Sequence, residues 1–202
     1  MILVTGATGT VGRHVVSELA DRNVAVRVAL RTPTAAPDAI GRSADVVEFD
    51  FERPETWGAA LDEVDRLFLM RPPRVDTKTV GAFAAAADRT GVEHVAYLSG
   101  LGAGWNVFNP HHWSEQRLRE LDVDHTLLRG AYFMQNLFEV HGADVRERDE
   151  VFVPAGDGTM GFVDARDVGA VAATVLTETG HENRAYDVTG PAALDFADVA
   201  TT

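Results

Sequence analysis

The chain contains no cysteine and only one lysine, Lys78, among its 202 residues. Without cysteine it can form neither a disulfide, nor a thiol nucleophile, nor a cysteine-ligated metal site. No apolar stretch approaches the length needed to span a membrane, and the first residues form a strand pattern rather than a charged leader. These absences predict a cytoplasmic protein that does not enter a membrane.

Positive charge is also scarce, since 18 Lys and Arg residues stand against 31 Asp and Glu residues, which gives a formal net charge of −13 at pH 7. An acidic surface repels phosphate backbones and anionic headgroups, so a nucleic acid or a membrane surface is a poor partner. The same composition is compatible with a salt-rich, halophilic cytosol. That hypothesis predicts that stability rises in molar KCl.

A glycine-rich segment opens the chain. Residues 2–4 form an apolar strand pattern, Gly6, Gly9 and Gly12 follow at three-residue spacing, and an amphipathic helix pattern then begins. In a dinucleotide-binding loop the first glycine permits the turn, the second admits the pyrophosphate and the third lets the helix pack on the strand. The helix N-terminus supplies free N–H groups. The alternative is an ordinary strand-to-helix turn. The predicted cofactor contacts in this segment are Gly6, Thr8, Gly9, Thr10, Val11 and Gly12.

The rest of the chain alternates strand and helix patterns, which predicts an α/β fold with a doubly wound, mostly parallel Rossmann sheet in a single domain, residues 1–202. Further strands are predicted at 24–30, 45–50, 66–70, 94–99, 124–129 and 184–188, and helices after Pro54, at 75–90 and at 111–121. The last third is less regular. It predicts a helix at 132–140, short strands at 151–153 and 162–163, a helix capped by Asp167, and a first helical turn after Asp195.

Arg31 indicates which nucleotide the loop binds. It stands about 20 positions past the glycines, where NAD-binding proteins carry an acidic residue for the ribose 2′-hydroxyl. A guanidinium can instead clamp a 2′-phosphate with two charge-assisted hydrogen bonds, so NADP is favoured over NAD. The alternative is a solvated arginine, because Arg27 flanks the same strand.

Two further strand ends are predicted to border the cofactor. Asp50 and Phe51 end the third strand, where a carboxylate and a ring could meet the adenine. Met70 and Arg71 end the fourth strand and should border the middle of the cofactor, because ligands of such sheets lie at the carboxyl ends of the strands.

With these motifs the chain resembles the NmrA-like group of atypical short-chain dehydrogenase/reductases, in particular its NADPH-dependent quinone oxidoreductases. The resemblance implies NADP(H) along the strand ends, with Tyr132, Phe133 and Asn136 lining the nicotinamide and substrate pocket. The segments that carry it are 4–12, 96–99, 111–115, 126–136, 164–167 and 185–190.

The resemblance also implies substrate-side elements at about 130–163 and 190–202, making the carboxy-terminal region small and irregular. Members of the group carry further carboxy-terminal helices, of which this sequence contains only the first turn. Either the chain is naturally short, with a site that is open or is closed by a second subunit in a homodimer, or residues are missing from the sequence.

Catalysis departs from the wider superfamily, which uses Tyr-x-x-x-Lys after the fifth strand. By register His111 takes the lysine place and Val107 the tyrosine place, and valine cannot donate a proton. Hydride transfer to an acceptor that needs little acid assistance, such as a quinone, is therefore favoured. Ser99 and His111 are the available donors. The alternatives are a strand-end hydroxyl bonded to backbone for Ser99 and a helix-start residue for His111. No metal site is expected, because His111 and Glu115 lack a third ligand.

These observations favour an NADPH-dependent reductase of quinones or similar small-molecule acceptors. A second hypothesis is a non-catalytic NAD(P)-binding redox sensor that acts through a partner protein. A third is a cofactor-bearing structural subunit of a larger assembly.

Overall fold

The computed structural model describes residues 1–37, 40, 44–151 and 153–201. In that part of the chain, seven strands form one parallel sheet in the order β3-β2-β1-β4-β5-β6-β9. The strands are β1 (Ile2–Thr5), β2 (Val26–Leu30), β3 (Asp45–Glu48), β4 (Arg66–Met70), β5 (His94–Gly100), β6 (Asp124–Gly130) and β9 (Arg184–Val188). The apolar runs of the inner strands suit a sheet that is covered on both faces.

The direction in which strands are added reverses between β1 and β4. The chain first builds outward from β1 to β3 and then returns to the other side of β1 to continue through β9. Such a reversal opens a crevice at the carboxyl ends of the strands, where doubly wound sheets bind ligands. The fold therefore places the ends of β1, β2, β4 and β5 around one candidate site.

Helices cover both faces of the sheet. One face carries α1 (Gly12–Asp21) and α7 (Ala165–Thr177), which pack against each other and against β1 and β4. The other face carries α2 (Trp57–Leu61), α3 (Thr77–Arg89) and α4 (His112–Arg119), packed around the rings of Phe49, Phe51 and Phe83. Asp76 caps α3 by accepting a hydrogen bond from the Thr79 N–H at 2.7 Å.

A second, smaller sheet lies beyond β6, with β8 between a parallel β7 and an antiparallel β10. Its strands are β7 (Tyr132–Phe133), β8 (Met160–Val163) and β10 (Ala193–Leu194), and the nearby helices are α5 (Asn136–Glu139), α6 (Gly142–Arg148) and α8 (Phe196–Ala200). This sheet brings residues after β6 into contact with residues after β9. The two segments predicted from the family resemblance to share one side of the site thus adjoin.

The predicted doubly wound sheet is confirmed, whereas several boundaries in the last third are corrected. The helix predicted at 132–140 begins only at Asn136, because Tyr132 and Phe133 pair with β8. The cap of α7 is Asp164 rather than Asp167, since its carboxylate accepts from the Arg166 N–H at 2.8 Å. The strand predicted at 151–153 includes Phe152, which lies outside the described residues.

No helix within the described ranges combines the length and the apolar character required to cross a bilayer.

Candidate active site

The glycine loop lies between β1 and α1 with its backbone tightly folded. Gly6 has a φ of +64°, and the Met70 side chain occupies the space that a Cβ would need, because its Cγ would lie 2.6 Å from a Cβ at position 6. A Cβ on Gly12 would lie 2.1 Å from the carbonyl oxygen of Gly6. Only glycine fits at positions 6 and 12, as the motif requires.

The same loop leaves hydrogen-bond donors unused. Gly9 N–H donates to the Gly6 carbonyl at 2.9 Å, whereas the N–H groups of Thr10 and Val11 make no backbone hydrogen bond to any described residue. Thr8 is exposed and Val11 is buried under the start of α1. Free N–H groups at the positive end of a helix fit a pyrophosphate.

A carboxylate from a distant part of the chain already contacts this loop. The Thr10 hydroxyl donates to Glu139 at the end of α5, and the Arg13 guanidinium lies 3.4 Å from the same carboxylate. Glu139 thus links the glycine loop to the segment that follows β6.

Arg27, within β2, and Arg31, directly after it, have different surroundings. Arg27 is tied down by an ion pair with Asp45 at 2.6 Å and by a hydrogen bond to the Asp62 carbonyl. Arg31 follows the carboxyl end of β2, is exposed, and forms no ion pair with any described residue. Its guanidinium is therefore available to a ligand at the strand ends.

Asp50 and Phe51, which follow β3, differ in how far they are exposed to the crevice. Asp50 is half-buried and its Oδ1 accepts from the Glu52 N–H at 2.9 Å. Phe51 is only 6% exposed and stacks edge-on against Phe49 and Phe83, at centroid distances of 4.8 and 5.5 Å. The Phe51 ring belongs to the core, so it offers no open face to an adenine.

Met70 and Arg71 lie where β4 ends. The Met70 side chain packs on the glycine loop, and its N–H donates to the Thr5 hydroxyl at 3.0 Å. Arg71 donates to the Val75 carbonyl at 2.9 Å, while its buried Nε has no partner among the described residues. Arg71 is thus a cation held beside the end of β5, where its charge is felt by His111.

Ser99 is engaged by a buried ion pair. Its hydroxyl donates to Glu115 at 2.6 Å, and Arg129 donates to both oxygens of the same carboxylate at 2.9 and 2.8 Å. Burial alone would raise the pKa of Glu115, but the hydrogen bonds from Arg129 and Ser99 hold that pKa below its ordinary value. Because Ser99 is 3% exposed and already donating, its hydroxyl is not free to serve a substrate.

His111 stands directly before α4, and its ring is held by Tyr97. The Tyr97 hydroxyl lies 2.9 Å from His111 Nδ1, and the Asn109 side chain accepts from the His111 N–H at 2.9 Å. Burial and the nearby charge of Arg71 lower the pKa of His111 to about 4. Val107, at the tyrosine place of the wider superfamily, is half exposed.

Tyr132 and Phe133 follow β6 on the side of the small sheet. The Tyr132 hydroxyl lies 2.8 Å from His141 Nε2, and the Phe133 ring covers the end of β6, 3.0 Å from where a Cβ on Gly130 would be. A groove of about 650 Å³ opens next to this region and is lined mainly by apolar side chains of α5, α6 and α8. None of the predicted cofactor residues lines that groove.

No cluster of three or more histidine, aspartate or glutamate side chains suited to a metal ion occurs in the part of the chain that the structure describes.

The structure gathers residues that the sequence pattern could not connect. The parity of β5 indicates that Tyr97 and Ser99 share a face, and both do contact α4 or the residue that precedes it. Three pairings depend on helix packing and crossover connections, for which the local sequence carries no signal. They are Tyr97 with His111, Ser99 with Glu115, and Thr10 with Glu139.

Comparisons with known proteins identify the family of the chain. A family model described as NAD(P)H-binding matches residues 6–179. An NAD(P)H azoreductase from Xenophilus azovorans is 36% identical over 205 residues, which cover 99% of this chain and 71% of the relative. Quinone oxidoreductase 2 of Escherichia coli strain K12 is 28% identical, with 99% of this chain and 72% of the relative covered.

Solved structures show the same architecture. The NADPH-dependent quinone oxidoreductase of Escherichia coli complexed with NADPH superimposes with a TM-score of 0.87 at 28% identity, over 100% of this chain and 73% of that one. The triphenylmethane reductase of Citrobacter sp. complexed with NADP(H) gives a TM-score of 0.84 at 27% identity, over 99% and 73%. The chain therefore belongs to the NAD(P)H-binding, NmrA-like atypical short-chain dehydrogenase/reductases and is an NAD(P)H-dependent oxidoreductase.

Proposed function

We propose that this protein uses NADPH to reduce a quinone or a similar small planar acceptor. The observation that carries the choice of NADPH is the exposed Arg31 guanidinium, which follows β2 and has no ion pair with any described residue, in contrast to Arg27. A free guanidinium favours a phosphate on the ribose, whereas a carboxylate at this place would favour the hydroxyl of NAD.

The glycine loop would hold the pyrophosphate through the N–H groups of Thr10 and Val11, with Gly6, Gly9 and Gly12 giving the close approach. Thr8 is exposed next to them. Because the Glu139 carboxylate contacts Thr10, it must move away from that hydroxyl when a phosphate binds there. Asp50 would reach the adenine amino group, and Phe51 supports that edge from within the core.

The bound nicotinamide supplies the hydride, and the protein positions the two reactants and excludes water. Reduction of a quinone adds the hydride to the ring system and one proton to the resulting hydroquinone anion, and water can supply that proton. No strong acid is required. This fits a site in which valine replaces the usual tyrosine and in which Ser99 is engaged by Glu115.

His111 is the donor that remains at the end of β5. Its Nε2 has no partner among the described residues and is not closed off from solvent. We assign it a hydrogen bond to the acceptor oxygen or to the nicotinamide ribose, with the Arg71 cation nearby. Met70 supports the middle of the cofactor by packing on the glycine loop.

The acceptor side would consist of residues 130–163 and 190–202. Tyr132 stacks edge-on against Phe162 and Phe196, at 5.5 and 6.1 Å, so these two parts of the chain form one aromatic cluster. Phe133, between that cluster and β6, would face the nicotinamide. An aromatic wall suits a planar acceptor.

Steady-state oxidation of NADPH with a panel of benzoquinones, naphthoquinones and azo dyes tests the acceptor class. We expect turnover with quinones. Failure of every quinone to accelerate NADPH oxidation would refute the acceptor proposal, and exclusive turnover of azo dyes would replace quinones by azo compounds.

Arg31→Asp tests the nucleotide. Hydrogen bonds to charged groups contribute about 1.5–3 kcal/mol, so kcat/KM for NADPH should fall at least about tenfold while that for NADH changes little. Arg89→Asp is the matched control, because it makes the same charge change at the end of α3, away from the strand ends. Equal losses for both nucleotides would remove Arg31 from the phosphate site.

A further inference from the structure

Every tyrosine in this chain is paired with a histidine. The sequence has three tyrosines, and each hydroxyl lies within 3 Å of an imidazole nitrogen. The pairs are Tyr97 with His111, Tyr132 with His141, and Tyr186 with His181. The first pair is the one that lies beside the end of β5 with an arginine close by.

The Tyr97 pair is rigidly built. Tyr97 is fully buried in β5, and its oxygen lies 2.9 Å from His111 Nδ1. The His111 ring packs against Gly100, with its Cδ2 atom 3.3 Å from the position that a Cβ on Gly100 would take. The Asn109 side chain accepts a hydrogen bond from the His111 N–H and so fixes the backbone of His111. The imidazole therefore has one nitrogen committed to the interior and the other, Nε2, facing outward.

Both partners are uncharged at neutral pH. Burial raises the pKa of Tyr97 to about 12. Burial and the charge of Arg71 lower the pKa of His111 to about 4, with Glu115 acting weakly in the opposite direction. The phenol keeps its proton, and a neutral imidazole has one nitrogen that accepts and one that donates.

We propose that Tyr97 is a positioning residue, whose hydroxyl donates to Nδ1 of His111 and thereby places the imidazole proton on Nε2. His111 then presents a fixed, neutral N–H donor to the acceptor oxygen, rather than a proton that it would have to gain and lose. This inference rests on the proposed reductase function only for its kinetic consequence. The tautomer itself is a property of the protein without any substrate.

The first test is therefore independent of catalysis. In the ¹⁵N-histidine-labelled protein at neutral pH, we expect the His111 ring to show a protonated Nε2 and an unprotonated, hydrogen-bonded Nδ1, assigned by comparison with His111→Gln. In Tyr97→Phe this hydrogen-bond signature at Nδ1 should disappear. A protonated Nδ1 in the unmodified protein would overturn the proposal whatever the enzyme reduces.

The second test is a double-mutant cycle on quinone reduction. Tyr97→Phe should lower kcat about tenfold with an unchanged KM for NADPH, and it should have no further effect in a His111→Gln background, because the two side chains act as one unit. Independent, multiplicative losses of kcat would show that Tyr97 does not act through His111 and would overturn the positioning role.

The pH profile gives a third readout. In the unmodified protein, kcat should be flat between about pH 5 and 9, since neither partner titrates there. Tyr97→Phe removes a hydrogen bond that only the neutral imidazole accepts, so the His111 pKa should rise, although burial and the charge of Arg71 still hold it below its ordinary value. The fall of kcat at acid pH should therefore move to a higher pH in the variant, and a fall at the same pH in both proteins would contradict the proposal.

Tyr186→Phe is the matched control. It removes the same kind of hydrogen bond, at 2.9 Å to Nδ1 of His181, but His181 precedes β9, at the amino ends of the parallel strands and away from the carboxyl ends that form the candidate site. Its kinetics and pH profile should match those of the unmodified protein. If Tyr186→Phe reproduced the effects of Tyr97→Phe, those effects would reflect a general loss of buried hydrogen bonds and the positioning role would be refuted.

Discussion

Glu115 offers a test of how the end of β5 is held in place. Its side chain is completely buried, and it accepts one hydrogen bond from Ser99 and two from Arg129. Glu115→Gln keeps the shape but removes the charge, and it sets an amide NH₂ against a guanidinium that has few other partners. The change therefore leaves a largely buried cation whose remaining carboxylate partner is the exposed Asp187, at 3.8 Å.

Breaking one side of such a pair costs about 3–5 kcal/mol, against about 0–1 kcal/mol for an exposed ion pair. For a chain of this length, each kcal/mol lowers the melting temperature by about 2–4 °C. We thus expect Glu115→Gln to melt about 6–20 °C below the unmodified protein at pH 7. Glu120→Gln is the control, because Glu120 forms an exposed ion pair with Arg117 at 3.5 Å on the same segment.

The pH dependence has a defined sign. Because the folded-state pKa of Glu115 lies below its ordinary value of 4.5, its contribution is complete above that value and is lost as the pH falls through the folded-state pKa. The gap between the two proteins should therefore be constant from pH 6 to 8 and narrow below about pH 4.5.

Calorimetry or circular dichroism at several pH values would measure both effects. A Glu115→Gln melting temperature within about 2 °C of that of Glu120→Gln would refute the assignment of a structural role to the buried pair. The double variant Glu115→Leu/Arg129→Met should recover much of the loss, since replacing both charges by apolar groups removes the unpaired cation.

Two more predictions concern the glycine loop and the surface charge. Gly12→Ala should weaken NADPH binding more than tenfold and lower the melting temperature, because the added Cβ would lie 2.1 Å from the Gly6 carbonyl oxygen. Gly58→Ala is the control and should be neutral or stabilising, because no atom lies within 4 Å of the added Cβ. Calorimetric titration would compare NADPH binding by the two variants. The net charge of −13 should make the melting temperature rise with KCl into the molar range, whereas a flat or falling trend in differential scanning fluorimetry would refute adaptation to salt.

The sequence predicts the main sheet well because its inner strands are apolar runs bounded by turn residues. Arg66–Met70 and Arg184–Val188 occur at the predicted positions, and the other strands differ from their predicted ends by one or two residues. The glycine loop is predicted equally well, because its conformation depends mainly on residues that are close together in the sequence.

The last third was harder to predict because tertiary pairing overrides local preference there. Tyr132 and Phe133 read as the start of a helix, but the edge of β8 draws them into a strand. Asp164 rather than Asp167 caps α7, in part because the Gln135 side chain accepts from the Ala165 N–H and fixes where the helix begins.

The alternation of strand and helix patterns predicts how the strands are arranged around the site, but it does not predict which side chains contact each other. Ser99 was predicted as a donor on the basis of its position at a strand end. Its engagement by Glu115 and Arg129 arises from the packing of α4 on β5 and β6, which no spacing rule encodes.

The contact between Thr10 and Glu139 has a consequence for how the enzyme matures on the ribosome. The glycine loop is synthesised before Glu139 and before the helix that packs beside α1, both of which follow it by more than a hundred residues. The nascent chain thus exposes the anion-binding glycine loop before Glu139 has been synthesised. We expect coenzyme added during translation to be captured early and to template the remaining fold, so that yield of active protein follows coenzyme supply.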